Sequence, residues 1–102
     1  MTTVIIQFPL PPGAPRETVN SGFLEVAPFF KTPSGLLRKY FLLSDDGAIG
    51  GGVYLWTERQ TAHDFSEQTI RPMIREKFHV DPTITYFETS VVVDNVSSEI
   101  LS

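Results

Sequence analysis

A hairpin near the centre of the chain, apolar on both sides of its two strands, constrains the fold more than any other feature. Residues 35–43 (GLLRKYFLL) run through a turn that contains Asp46-Gly47 into residues 50–56 (GGGVYLW). An Asp-Gly pair between two apolar runs is typical of a β-hairpin. A strand with one solvated face alternates between apolar and polar residues, and these two strands do not. They therefore predict neighbouring antiparallel strands inside a sheet that is covered on both faces.

The segment before the hairpin predicts one strand and one helix. Residues 2–8 are rich in β-branched side chains and stop at Pro9, which favours a first strand. From Arg16 to Phe30, apolar residues recur at helical spacing. This pattern predicts a first helix, with a break or a kink at Pro28.

The segment after the hairpin predicts one more helix and one more strand. The apolar stripe from Arg59 to Phe78 has the period of a helix, and Pro72 within it should kink that helix or divide it in two. A final strand is expected over residues 83–93, followed by a polar tail over residues 94–102. The resulting order, β-α-β-β-α-β, is that of a ferredoxin-like α+β domain, with a four-stranded antiparallel sheet and two helices on one face.

The sheet face without helices is predicted to be apolar. In the last strand, alternation places Ile84, Tyr86 and Glu88 on one side and Thr85 and Phe87 on the other. Each large apolar side chain left in water forgoes roughly 1.5 to 3 kcal/mol. We therefore expect a homodimer that packs sheet against sheet. A monomer with a lightly hydrophobic sheet face is the alternative.

Composition favours a single domain without nucleic-acid or membrane partners. The chain has 102 residues, within the usual size of one domain. Twelve acidic against eight basic residues give a net charge of −4, and the basic residues are scattered, so no surface for nucleic acid is expected. The chain has no cysteine, and no apolar run approaches the roughly 20 residues that span a membrane. With no leader expected at the N-terminus, these features predict a cytoplasmic protein.

Further motifs carry a family resemblance. Residues 32–36 (TPSGL) precede Lys39, and residues 51–56 (GGVYLW) precede a helix that contains Ala62. Together with the closing run 92–97 (VVDNVS), they resemble the signature of the YdhR-like mono-oxygenase family in the dimeric α+β barrel superfamily. The resemblance covers nearly the whole chain. It implies a homodimer with a ligand cavity between the sheet and the helices of each subunit, and a mono-oxygenase activity.

Three side chains are candidates for catalytic proton transfer: Lys39, Tyr54 and His63. Pairing about the hairpin turn places Lys39 opposite Tyr54 on one sheet face, unless a bulge at the glycines shifts the register. A phenol beside an ammonium suits the deprotonation of an acidic hydroxyl. His63 flanks the apolar stripe of the second helix, from which it could shuttle a proton. Structural roles stay open: Lys39 at the rim of the sheet or paired with Glu88, Tyr54 in the core, and His63 at the surface.

Four aromatic side chains are candidates for contact with a substrate: Phe23, Trp56, Phe65 and Tyr86. A cavity that they line would suit a flat aromatic molecule with one or two oxygen atoms. Structural roles are open here as well. Tyr86 is also typical of a core, and Trp56 of a dimer interface.

The residues and the resemblance leave two functional classes open. One is a cofactor-independent mono-oxygenase, in which the pocket deprotonates a small phenolic or quinol-like substrate that then reacts with oxygen. The other is a non-catalytic dimeric protein, a carrier or stress-related module that binds a small aromatic ligand. A haem-degrading variant is a further option and would need His63 as the axial ligand. Two histidines without a cysteine predict no metal site, and no motif indicates a cofactor.

Overall fold

A four-stranded antiparallel sheet with its helices on one face forms the framework of the protein, which a computed structural model describes over residues 1–102. In chain order, its strands are β1 (Thr2–Pro9), β2 (Leu36–Leu43), β3 (Ile49–Trp56) and β4 (Thr83–Glu88). Its helices are α1 (Arg16–Val26), α2 (Arg59–Phe65) and α3 (Arg71–Phe78). The strand order across the sheet is β2-β3-β1-β4. This arrangement confirms the predicted ferredoxin-like α+β fold.

The central strand β1 separates the core from the outer face of the sheet. Val4, Ile6 and Phe8 are buried under the helices, whereas the residues between them point to the other face and are more exposed. Val4 lies opposite Tyr54 of β3, and Ile6 lies opposite Gly52. Because opposite residues share a face, the even-numbered positions of β3 also face the helices.

Helix α1 covers the sheet loosely. None of its residues is buried, and a 3-10 helical segment, Ala27–Lys31, follows it directly. Pro28 lies at the start of that segment, where its missing N–H removes no helical hydrogen bond. The predicted break at Pro28 is confirmed, and the loose packing of α1 leaves space beneath it.

The second predicted helix is divided into α2 and α3 by a π-helical turn, Ser66–Ile70. Pro72 lies in the first turn of α3, so its missing N–H falls where the hydrogen-bonding pattern already changes. The expected division near Pro72 is confirmed. Ala62, Ile70 and Ile74 bury one side of this helical unit against the sheet. No helix of the structure is long and apolar enough to cross a membrane.

Strand β2 lies at the edge of the sheet, which corrects the expectation that both hairpin strands are interior. It pairs with β3 alone, and a bulge interrupts the pairing between Leu36 and Arg38. On the outer face, Tyr40 is 51% exposed and Leu42 is 39% exposed. The apolar residues on both sides of β2 therefore belong to the core on one side and to an exposed apolar face on the other.

Strand β4 ends at Glu88, so the prediction of a strand as far as Val93 is wrong. Beyond it, the hydroxyl groups of Thr3 and Thr89 are hydrogen-bonded at 2.5 Å. The chain then crosses the outer face towards β2, where Arg38 pairs with Asp94 at 2.8 Å. Because of these two contacts, residues 89–94 leave the edge of the sheet and do not extend β4.

The tail forms a small hairpin that the sequence analysis did not predict. Its strands are β5 (Val92–Asp94) and β6 (Glu99–Leu101). The Asp94 carboxylate accepts hydrogen bonds from the amides of Val96 at 3.0 Å and Ser97 at 3.1 Å. An aspartate that bonds to the backbone two residues on is a common way to begin a turn.

Candidate active site

A cavity of about 550 Å³ lies between strands β1, β2 and β3 of the sheet and helices α1 and α3. It exists because α2 and α3 bury their apolar side chains against the sheet, whereas α1 buries none. Its wall is mostly apolar, and its volume is within the ordinary range for small-molecule sites. The wall residues that matter most are Phe23, Phe30, Lys39, Phe41, Gly52 and Tyr54.

Lys39 reaches into this cavity from β2, and aromatic rings surround its amine. Its Nζ lies 3.9 Å from the ring centre of Tyr54, 4.0 Å from that of Phe41 and 4.7 Å from that of Phe30. No carboxylate pairs with the amine, and burial lowers its pKa to about 7. The ring faces favour the charged form and oppose part of this shift. Lys39 is therefore an amine that changes charge near neutral pH without an acidic partner.

Tyr54 lies directly opposite Lys39 in the β2–β3 ladder, as predicted. Its side chain is buried, and burial raises the pKa of its hydroxyl above the ordinary value. The hydroxyl therefore keeps its proton at neutral pH and can donate a hydrogen bond. The pair offers one ligand both a basic amine and a protonated phenol.

Sheet order excludes the alternative in which Lys39 pairs with Glu88. Lys39 is on β2 at one edge, and Glu88 is on β4 at the other edge, with β3 and β1 between them. The amine is also not at the rim of the sheet, since it lies among three rings on the helix side.

Gly52 gives the Lys39 amine its place on the sheet. It lies opposite Phe41 of β2 and Ile6 of β1, which puts it on the cavity side. A Cβ atom at this position would collide with the Nζ of Lys39 and would lie 2.9 Å from the Tyr40 carbonyl oxygen. The amine can lie flat against β3 because residue 52 has no side chain.

Among the four aromatic residues predicted to contact a substrate, Phe23 alone lines the cavity. Its ring centre lies 5.1 Å from that of Phe41. Trp56 is fully buried beneath α2 with its ring 5.3 Å from Phe65, so it is a core residue, where the sequence analysis expected pocket wall or dimer interface. Tyr86 lies on β4, away from the cavity half of the sheet.

His63 also lies outside the cavity wall, contrary to the expectation that it reaches the pocket. It follows the buried Ala62 on α2, its side chain is 45% exposed, and its ring centre lies 5.6 Å from that of Tyr86. The haem alternative therefore lacks an axial ligand in this cavity. Elsewhere, no three His, Asp or Glu side chains are grouped so as to hold a metal ion.

The sequence analysis missed several wall residues, and some of them carried a signal. Phe41 is two residues from Lys39, and Gly52 is two residues from Tyr54, so strand alternation alone places both on the cavity side. Met73 of α3 also lines the cavity. Its position had no comparable signal, because helical periodicity does not tell which half of a sheet a helix covers.

Solved structures with a similar fold include a monooxygenase and a cofactor-independent oxygenase. A monooxygenase from the gene ActVA-Orf6 of Streptomyces coelicolor, solved with the ligand nanaomycin D, is 14% identical over 87% of each chain, with a TM-score of 0.65. SnoaB, a cofactor-independent oxygenase from Streptomyces nogalater, is 21% identical over 86% of this chain and 91% of its own, with a TM-score of 0.61. The NE2512 protein of unknown function from Nitrosomonas europaea is 15% identical over 86% and 87%, with a TM-score of 0.66.

These similarities show the fold that the chain shares with antibiotic biosynthesis monooxygenases. The sequence matches no protein-family model and no curated protein. The narrower resemblance to the YdhR-like family stays a prediction.

Replacing Lys39 with Met should remove a pH dependence of stability. Burial lowers the Lys39 pKa to about 7 in the folded protein, whereas its ordinary value, expected in the unfolded chain, is 10.5. Between these values the unfolded chain binds more protons, so the free energy of unfolding rises with pH, by roughly 2 kcal/mol from about pH 6 to about pH 9. Urea denaturation at several pH values should show this rise in the wild type and in Lys77→Met, and not in Lys39→Met. An equal rise in all three would contradict the burial of the amine.

Replacing Gly52 with Ala should destabilise the protein through both the Tyr40 carbonyl and the Lys39 amine. The added methyl group would lie 2.9 Å from that carbonyl oxygen, which the backbone holds in place, and would collide with the amine, which can move; overpacking of this kind costs about 1 to 3 kcal/mol. In a Lys39→Ala background only the carbonyl contact remains, so the loss should fall in part, as a double-mutant cycle in urea measures. Gly50→Ala is the matched control, because its Cβ would meet only the flexible Leu10 side chain, at 3.2 Å. An equal loss in both backgrounds would place the obstruction at the Tyr40 carbonyl.

Proposed function

We propose that the protein is a cofactor-independent mono-oxygenase for a small aromatic substrate of phenolic or quinol type, bound in the cavity beneath α1. One observation carries the proposal: the unpaired Lys39 amine lies within an apolar cavity. Enzymes often lower the pKa of a lysine in this way to obtain a base near neutral pH. A structural lysine, by contrast, is normally paired or solvated.

Lys39 and Tyr54 divide the proton chemistry between them. The neutral Lys39 amine takes the proton of the substrate hydroxyl, and the resulting ammonium stabilises the phenolate, since opposite charges attract strongly in an apolar site. The Tyr54 hydroxyl stays protonated and donates a hydrogen bond to oxygen-centred charge that develops later. Phe23 and Phe41 bind the aromatic plane.

The substrate itself supplies the electrons for the oxidation. A phenolate is electron-rich enough to react with O2 at a ring carbon. One oxygen atom becomes the new carbonyl oxygen and the other leaves as water, so that a phenol and O2 give a quinone and water. The ring carbon loses its hydrogen, and no external reductant is needed.

The solved structures of similar fold support this class of reaction. SnoaB is described as a cofactor-independent oxygenase, and the Streptomyces coelicolor monooxygenase was solved with the ligand nanaomycin D. Both are under 25% identical to this chain, so the argument for activity rests on the cavity residues. The proposed site consists of Lys39, Tyr54 and Phe23, and it leaves out His63, Trp56, Phe65 and Tyr86 because none of them lines the cavity.

A non-catalytic ligand-binding protein is the second candidate. The observation that favours it is the composition of the wall, which is mostly apolar, with Thr18, Ser21, Glu25 and Lys77 as the polar side chains besides Lys39 and Tyr54. A cavity of this kind would hold an aromatic acid or phenol through one ion pair and apolar contacts. Binding alone would need neither oxygen nor proton transfer.

Oxygen uptake with matched variants separates the two candidates. A thermal-shift screen of naphthols, hydroquinones and anthrones first identifies a ligand, because binding to the folded state raises the melting temperature. With that ligand, Lys39→Met should lower oxygen consumption by about 100-fold or more while affinity changes by less than about tenfold. Tyr54→Phe should lower it less, and Lys31→Met, at an exposed position outside the cavity wall, should leave it unchanged.

Two outcomes would contradict the oxygenase proposal. Ligands that bind without oxygen uptake in the wild type would favour the binding protein. Oxygen uptake that Lys39→Met does not reduce would place the chemistry elsewhere.

We propose further that two copies pack through the outer faces of their sheets. Tyr40, Leu42, Ile49 and Phe87 are each between 39% and 51% exposed on this face. Val53, at its centre, is only partly buried. Large exposed apolar side chains on one sheet face mark an interaction site, and a second copy presents the same surface, as symmetric dimers require.

Light scattering tests the dimer. The wild type should have twice the chain mass of 11.4 kDa at micromolar concentration. Val53→Lys should give a folded monomer, because two like charges would meet in the apolar contact. Leu24→Lys is the control, since Leu24 is exposed on α1, away from the outer face. A wild type of single-chain mass would rule out the proposed interface.

A further inference from the structure

The Lys39 amine has the surroundings of a nucleophile as well as those of a base. The chain contains three lysines: Lys31, Lys39 and Lys77. Lys31 is exposed at the end of the 3-10 segment, and Lys77 lies on the outer turn of α3 at the cavity wall. None of the three forms an ion pair, and Lys39 alone has its amine enclosed by several aromatic rings.

We propose that Lys39 is a covalent capture site for apolar aromatic aldehydes or ketones, which its Nζ binds as a Schiff base inside the cavity. This activity does not depend on the proposed oxygen chemistry. It needs only the cavity, the amine and a carbonyl compound.

The shape of the cavity places a carbonyl group within reach of the amine. Gly52 leaves the floor beside Nζ without a side chain. The rings of Phe23 and Phe41 pack against each other at a tilt of 31°, and the Phe41 ring centre lies 4.0 Å from the amine, so the two rings provide apolar surface on this side of the cavity. An aromatic aldehyde that packs its ring against these side chains directs its polar end toward Nζ, the basic group of this part of the wall.

The reaction balances without any co-reactant. The nitrogen lone pair attacks the carbonyl carbon and forms a carbinolamine. The carbonyl oxygen then leaves as water, carrying both protons of the amine, and a carbon–nitrogen double bond remains. An amine and an aldehyde thus give an imine and water, with no change in oxidation state.

The environment favours both formation and retention of this imine. Burial lowers the pKa of Lys39 to about 7, so a large share of the amine has a free lone pair at neutral pH. The Tyr54 hydroxyl, opposite Lys39, keeps its proton and can give a hydrogen bond to the departing oxygen. The apolar wall limits the water that would hydrolyse the product.

Reductive trapping of the wild-type protein tests the proposal. The protein is incubated at about pH 7 with naphthaldehyde and sodium cyanoborohydride, and peptide mapping then locates the naphthylmethyl group. The expected result is one adduct per chain on Lys39, formed at least about tenfold faster than adducts on Lys31, Lys77 or the Met1 α-amine, since those amines lack the apolar enclosure. Glyoxylate, a hydrophilic aldehyde, should show no preference for Lys39.

Two further measurements test whether the labelling preference depends on the fold and on the Lys39 amine. The urea-unfolded protein should lose the preference, which shows that the fold creates it. Lys39→Arg should form no rapid adduct and should leave the slow labelling of Lys31 unchanged. Equal or greater labelling of the exposed amines in the folded wild type would overturn the proposal. That result would leave the oxygen-uptake test unaffected, because proton transfer to Lys39 does not require attack on a carbonyl.

Discussion

Unequal packing of the helices on the two halves of the sheet is the constraint from which the site follows. On one wall of the cavity, α3 packs closely against β1, and the rings of Phe8 and Phe78 lie 4.8 Å apart. Over β2 and β3, α1 buries no residue, and Gly52 of β3 faces the helices without a side chain to fill the layer. Protein interiors are otherwise close-packed. A loosely packed helix above Gly52 therefore leaves a cavity at this place in the fold.

That cavity determines the chemistry of Lys39. An amine on an exposed strand would be solvated and charged, whereas here apolar walls and ring faces replace water. Removing a charge from water without an opposite charge destabilises the fold, so the residue costs stability where it lies. The ring faces of Phe30, Phe41 and Tyr54 offset part of that cost. A destabilising residue held in a ligand-sized cavity is better explained by function than by packing, because an apolar side chain of similar length would be more stable there.

The parts of this site that the sequence predicts are those governed by strand alternation. Counting from the hairpin turn places Lys39 opposite Tyr54, and the same count extends to Phe41 and Gly52. The sequence does not predict which half of the sheet each helix covers, since periodicity defines only the apolar side of a helix. His63 is assigned wrongly to the pocket for this reason. The end of β4 at Glu88 could not be predicted from the sequence either. It depends on two contacts between residues far apart in the chain, Thr3 with Thr89 and Arg38 with Asp94.

The position of the amine depends in turn on a polar turn outside the cavity. In the hairpin loop, the Asp46 carboxylate accepts hydrogen bonds from the Ser44 hydroxyl at 2.7 Å and from the Ala48 amide at 2.9 Å. These bonds define the loop and thus the register in which β2 meets β3. A shift of one residue would move Lys39 to the outer face and bring Tyr40 into the cavity, which would exchange a base for a second phenol. The chemistry of the buried site is therefore specified by the geometry of an exposed loop, and the same register keeps the outer face apolar.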